Sequence, residues 1–389
     1  MDKTQTKYER RGVSASKSEV HKAIKNLDKG LYPNAFCKIL PDVISNDPNK
    51  VAVMHCDTAG TKPSLAYLYW KETGDNTVWK NIAQDALIMN LDDMACVGIL
   101  DQFIISSNIA RNKNLIPGEV LTHIIEGTQQ LINEFQGHNI QIHHAGGETA
   151  DVGDIVRTLD VGFTAIASIP KENLIVNNVQ PGNVIVGLSS SGQCSYEKEY
   201  NSGIGSNGLT SARHDVLHKK YKDLYPETFD PSIPSDLIYS GSYNVNDIES
   251  QTNVQIGKLL LSPTRSYVPI LKQVIPQYKS EINGIIHCTG GGLTKVMKFV
   301  ENIHVIKDNL MNIPPLFHII HKESNTPLKE MYQTFNMGQR LEIYTSEKVA
   351  QEIIKISKSY NVDAQIIGYC EAYTGQKLTI KHKDQEFVY

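Results

Sequence analysis

Cysteine is scarce and scattered in this sequence. Cys37, Cys56, Cys96, Cys194, Cys288 and Cys370 include no C-x-x-C pair, which argues against a zinc or disulfide framework and for reduced thiols. Long apolar runs are missing too: none approaches the roughly 20 residues that a membrane span requires. Neither sign of charge dominates. The 38 Lys and Arg against 42 Asp and Glu leave a formal charge of −4 and a pI near 6.4, no electrostatic footprint for nucleic acid. An anionic small substrate stays open, because glycine loops and metal ions hold phosphate on acidic proteins. The charged stretch from Met1 to Arg11 leads into no apolar run, so it does not read as a secretion signal. No internal repeat, low-complexity segment, H-E-x-x-H or Ser/His/Asp order stands out. The expectation is a soluble cytoplasmic protein without membrane or nucleic-acid partners.

What is present fits a globular chain of two domains, with 389 residues, 40% of them apolar and 21% charged. A short helix is predicted around Ser16–Leu27, then a strand over Val51–Asp57. Ile82, Leu87, Ile88, Leu91, Met94 and Ala95 recur with helical spacing, with Thr77 as N-cap and Gly98 as stop. Strands follow at Phe103–Ser106, Ile140–His143 and Thr158–Ser168, with a helix from Pro117 to Gly137 between the first two. This order predicts an α/β or α+β domain over residues 1–169 and a second α/β domain over 170–389. The second half begins with a strand at Asn183–Leu188, a long loop (Ser189–Gly205) and a helix from Asn207. Residues 223–255 read as a surface excursion. Further elements are predicted as a helix from Pro263, a strand at Gly284–His287, helices at Leu293–Val300 and Ser346–Tyr360, and a strand at Ala364–Ile367.

Four stretches carry possible chemistry. Asp57-Thr58-Ala59-Gly60-Thr61-Lys62 follows a strand and offers N–H and hydroxyl donors, a cation and an acid. That mix suits a polyphosphate with its metal, though the order is not that of a Walker A loop. Asp85, Asp92 and Asp93 lie on one apolar helix. Either they face solvent, or something positive such as Mg²⁺ compensates them. His143-His144-Ala145-Gly146-Gly147-Glu148-Thr149-Ala150-Asp151 reads as a strand end with a turn, its glycines admitting a bulky ligand and Glu148 placed to handle a metal or proton. A tight turn with a solvated acid is the alternative. The adjacent histidines point to opposite faces and read as core or surface residues. Gly203-Ile204-Gly205-Ser206-Asn207-Gly208 matches G-x-G-x-x-G, but its preceding strand ends near Leu188, too early for a dinucleotide fingerprint. A phosphate loop and a plain flexible loop both stay open there. Thr289-Gly290-Gly291-Gly292 is another backbone-exposing turn at a strand end.

Taken in order, these stretches resemble the phosphoribosylformylglycinamidine cyclo-ligase family, the aminoimidazole ribonucleotide synthetases. Asp57–Lys62 is similar to D-G-V-G-T-K, Asp85–Asp93 to D-L-V-A-M-C-V-N-D, and Gly146–Ala150 matches G-G-E-T-A. Ser189–Gly192, Ser206–Gly208, Pro263–Val268, Thr289–Leu293 and Glu330–Asn336 follow in the family's order, and the likeness runs from Tyr8 to Glu371. The resemblance implies a homodimer of two-domain chains, with an N-terminal ATP, metal and dimerisation domain. It also implies an ATP- and Mg²⁺-dependent ring closure on a phosphoribosyl substrate. By motif it assigns Lys62, Asp93 and Glu148 to catalysis and Asp57, Asp93 and Glu148 to metal. ATP and phosphate fall to Asp57, Gly60, Thr61, Lys62, Gly146, Gly147 and Thr149, and substrate to Ser206, Asn207 and Gly208. Other ATP-dependent superfamily members, of thiamine-monophosphate kinase or selenophosphate synthetase type, and a silent nucleotide-binding paralogue are the alternatives. Three departures stand out. The family's P-H-S-N-G has Gly205 in place of histidine, after an insertion from Gln193 to Gly203, with His214 as a substitute within reach of sequence. Tyr32–Cys37 replaces a glycine-rich stretch, and Thr58-Ala59 replaces Gly-Val.

Overall fold

The computed structural model describes residues 6–13 and 18–389, with the side chains of Ser18 and His21 outside the description. Two short helices, α1 (Lys7–Arg10) and α2 (Ser18–Ile24), open the chain. Thr6 and Glu9 cap α1 reciprocally. The helix expected over Ser16–Leu27 is realised as α2; Ser16 and Lys17 lie outside the described residues. The first half then runs β1 (Leu40–Pro41), β2 (Lys50–Thr58), α3 (Lys62–Thr73), α4 (Val78–Ala95), β3 (Phe103–Arg111), α5 (Gly118–Gly137), β4 (Ile142–Asp151) and β5 (Leu159–Pro170). Its five strands order as β1-β2-β5-β3-β4, with β3 and β4 parallel across the α5 crossover and the other pairs antiparallel. One face buries Val51, Val53, Ile105, Phe163 and Ala165 beneath the helices. The other leaves Met54 and Ile104 exposed, at 59% and 41%.

The second half contains β6 (Val184–Ser189), α6 (Leu209–Val216), α7 (Lys220–Leu224), the small pair β7 (Ile248–Glu249) and β8 (Val254–Gln255), and α8 (Ile256–Leu260). It continues with α9 (Val268–Tyr278), β9 (Gly284–His287), β10 (Ile303–Lys307), α10 (Pro315–Ser324), α11 (Leu328–Thr334) and β11 (Gln339–Thr345). It ends with α12 (Glu347–Ser359), β12 (Ala364–Ala372), β13 (Gln376–His382) and β14 (Gln385–Val388). Seven strands order as β14-β13-β10-β12-β6-β11-β9, antiparallel except for β10 with β13. The mixed α/β class expected from the sequence is what is found.

Several elements differ from expectation, each for a physical reason. The predicted turn at Gly146-Gly147 is part of strand β4, and the glycines serve a bulge there. Ile105 pairs with His144 and Ser107 with Gly147, so one extra residue is taken up where Gly146 adopts φ +90°. A Cβ on Gly147 would come within 2.2 Å of the Ser107 carbonyl oxygen. Helix α3 went unpredicted because Leu65, Ala66, Tyr67, Leu68 and Tyr69 are all buried, leaving no polar face to set a period. The helix expected from Pro263 starts only at Val268, because the backbone N–H groups of Thr264 and Tyr267 bond carboxylates of α4 instead. Residues 223–255 are no surface excursion: Phe229, Ile233, Tyr239 and Val245 are buried. The helix expected at Leu293–Val300 is a 3₁₀ turn over Gly292–Lys298.

Candidate active site

Helix α4 supplies acids to the junction between the two halves, and each has its own partners. Asp85 Oδ1 accepts from Lys62 Nζ at 2.7 Å, from the Thr264 N–H at 2.9 Å and from the Thr264 hydroxyl at 2.7 Å. Asp92 accepts from the Ser266 hydroxyl at 2.7 Å and the Tyr267 N–H at 3.1 Å. Asp85 and Asp92 therefore clamp the irregular Thr264–Tyr267 segment, and the compensating groups are protein donors. Burial pushes both carboxyls up from the ordinary carboxylate range, against the pull of those partners.

Asp93 has histidines on both sides. His287 Nδ1 lies 2.7 Å from Oδ1, and His55 Nε2 lies 3.3 Å from Oδ2. His55 Nδ1 sits 3.0 Å from Asn90 Oδ1, while Asn90 Nδ2 donates to the carbonyls of Ala86 and Phe163. The Asn90 oxygen can therefore only accept, so His55 Nδ1 carries a proton. Nε2 faces the Asp93 carboxylate, which favours the doubly protonated ring. Burial opposes that charge, but the bond and attraction to Asp93 outweigh it and raise the His55 pKa. For Asp93 burial alone would push the pKa up; hydrogen bonds from His287 and His55 hold it well below the usual carboxylate range. His287 is fully buried, and its Nε2 has no partner.

Glycine loops converge beside these groups. Gly60 takes φ +61° between β2 and α3, and the Thr61 hydroxyl meets that of Thr210 at 2.9 Å. The Asp57–Lys62 loop thus abuts the turn that opens α6, where Gly208 takes φ +75° and a Cβ would strike the Phe335 ring at 2.3 Å. Asn207 reaches toward Thr289–Gly292: its Oδ1 lies 3.8 Å from a Cβ built on Gly290. The Ser206 hydroxyl is buried without a partner. This is a junction site of backbone-rich loops, two histidines and one strongly ionised carboxylate. It is equipped to hold phosphate oxygens and to move a proton.

The structure brings Thr61 of the first loop against Thr210, two residues past Gly208, and sets Asp93 between His55 of β2 and His287 of β9. Lys62 is fully buried, its ammonium shared by Asp85 and the Ser262 carbonyl, so it faces no open phosphate position. Burial lowers the Lys62 pKa, and Asp85 works to restore it. Gly146, Gly147, Glu148 and Thr149 stand apart. They lie on exposed edge strand β4, three strand spacings from β2, or roughly 14 Å. Asp57 aligns with Phe163 and Ser107, and Ser107 with Gly147; Glu148, one residue on, points to the opposite face. Within one chain, Asp57, Asp93 and Glu148 do not form one cluster. Among the described residues no three His, Cys, Asp or Glu side chains are placed to hold a metal ion. His214, expected as a substitute for the family histidine, is packed against Tyr239 with ring centroids 4.6 Å apart, and burial holds its pKa well below the usual histidine range. His143 is exposed and meets the Gln102 side chain at 3.1 Å. The sequence reading missed His55, His287 and Asn90. The available signal was a histidine two residues before Asp57, and another just ahead of a glycine run.

Comparison with known proteins decides the family. Residues 39–169 match the N-terminal domain of AIR synthase related proteins, and residues 180–381 match the C-terminal domain. The chain belongs to this family. It is 30% identical over 317 residues to a phosphoribosylformylglycinamidine cyclo-ligase of Methanocaldococcus jannaschii, covering 81% of this chain and 77% of that one. A protein of the same name from Methanococcus vannielii is 30% identical over 322 residues, covering 82% and 77%. The fold is shared with solved structures at low identity. PurL of T. maritima complexed with ATP superposes with a TM-score of 0.53 at 13% identity, over 96% of this chain and 48% of that chain. The chain thus spans about half the length of PurL. A chain of the HypE–HypF complex gives 0.56 at 14% identity, over 97% and 99%. No helix among the described residues is long and apolar enough to cross a membrane, and the six cysteines are free.

Proposed function

We propose that this chain is an ATP-dependent cyclo-ligase that closes formylglycinamidine ribonucleotide to aminoimidazole ribonucleotide, releasing ADP and phosphate in purine biosynthesis. The carrying observation is its 30% identity to cyclo-ligases over 77% of their length. The alternatives within the superfamily have no comparable support. In this reading the γ-phosphoryl group passes from ATP to the formyl oxygen. The amidine-side nitrogen then forms the new C–N bond at that carbon, and the C–O bond breaks as phosphate leaves. The hard step is turning a poor leaving oxygen into phosphate, which calls for N–H donors and positive charge around the phosphoryl group.

The Asp57–Thr61 loop and the Ser206–Gly208 turn are the proposed phosphate and substrate contacts. Asp93 with His55 and His287 is the proposed proton-handling group. Lys62 acts through Asp85, pinning α3 and α4 to the second half. The described residues of one chain do not fit a protein-built Mg²⁺ cage; Mg²⁺ is proposed to enter with ATP, whose phosphates supply ligands. Glu148 belongs to the site only if a second chain covers the outer face of the first sheet. The apolar, exposed Met54 and Ile104 support such a homodimer. The proposed division at residues 169 and 170 is supported by family matches that end and resume near it, and the free cysteines support a cytoplasmic setting. The test is to supply ATP, Mg²⁺ and formylglycinamidine ribonucleotide and follow both phosphate and aminoimidazole ribonucleotide. Phosphate release that requires the substrate is expected. ATP binding without turnover would overturn the reading.

A further inference from the structure

A buried arginine at the junction has more donors than partners. Arg340, on β11, is 2% exposed. Its Nη2 donates to the Arg265 carbonyl at 2.5 Å, and its guanidinium carbon lies 5.5 Å from the centre of the Tyr267 ring. Nε and Nη1 are buried with no hydrogen-bond partner. A guanidinium cannot shed its charge at any relevant pH; Asp92 supplies negative charge nearby, yet Nε and Nη1 still lack an acceptor, and unsatisfied buried charged donors are costly. The Gly205 backbone passes close beside Nη1. A Cβ built on Gly205 would lie 3.2 Å from Nη1 and 3.7 Å from the Thr264 hydroxyl. Gly205 takes φ +63°, and the next residue, Ser206, has the other unpartnered buried donor of this corner. Position 205 is also where the resembling family's loop has its histidine.

We propose that Arg340 and the Ser206 hydroxyl form an oxyanion-binding subsite for a phosphoryl oxygen, with the arginine filling the space and supplying the charge that a histidine at position 205 would provide. The phosphoryl identity rests on the cyclo-ligase reading; the anion site does not. Gly205 is required because any side chain there presses on Nη1. The exchange is chemically unequal. A histidine titrates near pH ~6.5 and can pass a proton, whereas arginine stays charged and can only hold and polarise. In this chain proton transfer is therefore left to other groups, of which His287 Nε2 is buried and unpartnered.

The test uses the full chain. Pyrophosphate and ATP binding are measured by calorimetry for wild type, Arg340→Gln and Arg340→Lys, with thermal melts to confirm folding. Arg340→Gln is expected to weaken pyrophosphate binding about tenfold or more, with Arg340→Lys intermediate. Equal affinities in folded Arg340→Gln and wild type would overturn the anion site. The double variant Gly205→His with Arg340→Gly then puts the family's histidine where the arginine is removed, in a left-handed conformation that histidine tolerates better than most residues. Its rate is expected to gain one further pH limb near ~6.5 over the wild-type profile. Activity loss in Arg340→Gln with unchanged anion affinity, or a double variant whose pH profile matches wild type, would reduce Arg340 to a structural role and overturn the proposal. If wild type shows no substrate-dependent turnover, the cyclo-ligase reading fails, and the pyrophosphate comparison still decides the subsite.

Discussion

Asn90 orients the histidine beside it. Its amide nitrogen is held by two carbonyls, so its oxygen fixes a proton on His55 Nδ1 and turns Nε2 toward Asp93. The His55 pKa is raised on folding, and the sign of its contribution follows. That stability is fully present below the unfolded value near ~6.5 and is lost as pH rises through the folded value. For Asp93, whose pKa is depressed, the contribution is present above about 4 and lost as pH falls through the folded value. Melting temperature should therefore decline as pH rises above ~6.5 through the His55 titration. His55→Gln should remove that decline, and thermal melts of the two proteins across pH 6 to 9 check it; parallel curves would show the ion pair to be inert. Asp93→Asn should cut turnover by about 10²-fold or more, the scale of a lost catalytic electrostatic or proton-handling group. It keeps the shape of the side chain, so retained wild-type kcat/KM would remove Asp93 from the chemistry.

At the scale of elements, α4 and the Thr264–Tyr267 segment act as one unit. The segment has no helix of its own to satisfy its N–H groups, and Asp85 and Asp92 supply that lack from the other half of the molecule. Asp85→Ala leaves the fully buried Lys62 ammonium with only the Ser262 carbonyl. Breaking a buried pair in this way costs about 3–5 kcal/mol, and the midpoint of urea unfolding should fall accordingly. Lys62→Met with Asp85→Leu, which removes both charges, should recover much of the loss; failure to do so would point to the Thr264 bonds instead. The same clamp shows how far the sequence could be read. The helical spacing of α4 was legible, and so was the oddity of acids on an apolar helix. Their partners were not, because Thr264 lies 179 residues from Asp85 and only the tertiary fold joins them. Strand β4 failed differently. Two adjacent glycines signal a turn in sequence, whereas here they absorb a bulge beside Ser107 while pairing continues on both sides. The loops carrying Gly60 and Gly208 were readable as strand-end or helix-start glycines, and they do lie together. Arg340 gave no signal at all, since a lone arginine after Gln339 looks like any surface cation until its burial is known.

At the scale of the whole molecule, the first sheet is covered on one face only. Its helices bury the side carrying His55 and Phe163, and the opposite side presents Met54, Ile104 and the bare edge of β4. An exposed strand edge beside uncovered apolar side chains is a liability in a lone chain, and association with a second copy removes it. The same association is the one route by which Glu148 could approach a phosphate loop, because the pleat turns it away from Asp57 of its own chain. Oligomeric state and activity should therefore change together. Ile104→Asp places a charge in the centre of the proposed contact without touching the junction site. It should shift the protein from dimer to monomer in sedimentation equilibrium and reduce turnover with it. Glu148→Ala should lose turnover by about 10²-fold while staying dimeric. Mixing Glu148→Ala with Asp93→Asn tests the geometry: if Glu148 serves the partner's site, each mixed dimer regains one complete site of its two, whereas a Glu148 that acts within its own chain regains none. A monomeric Ile104→Asp variant with full turnover would instead place the complete site within one chain and leave Glu148 outside it.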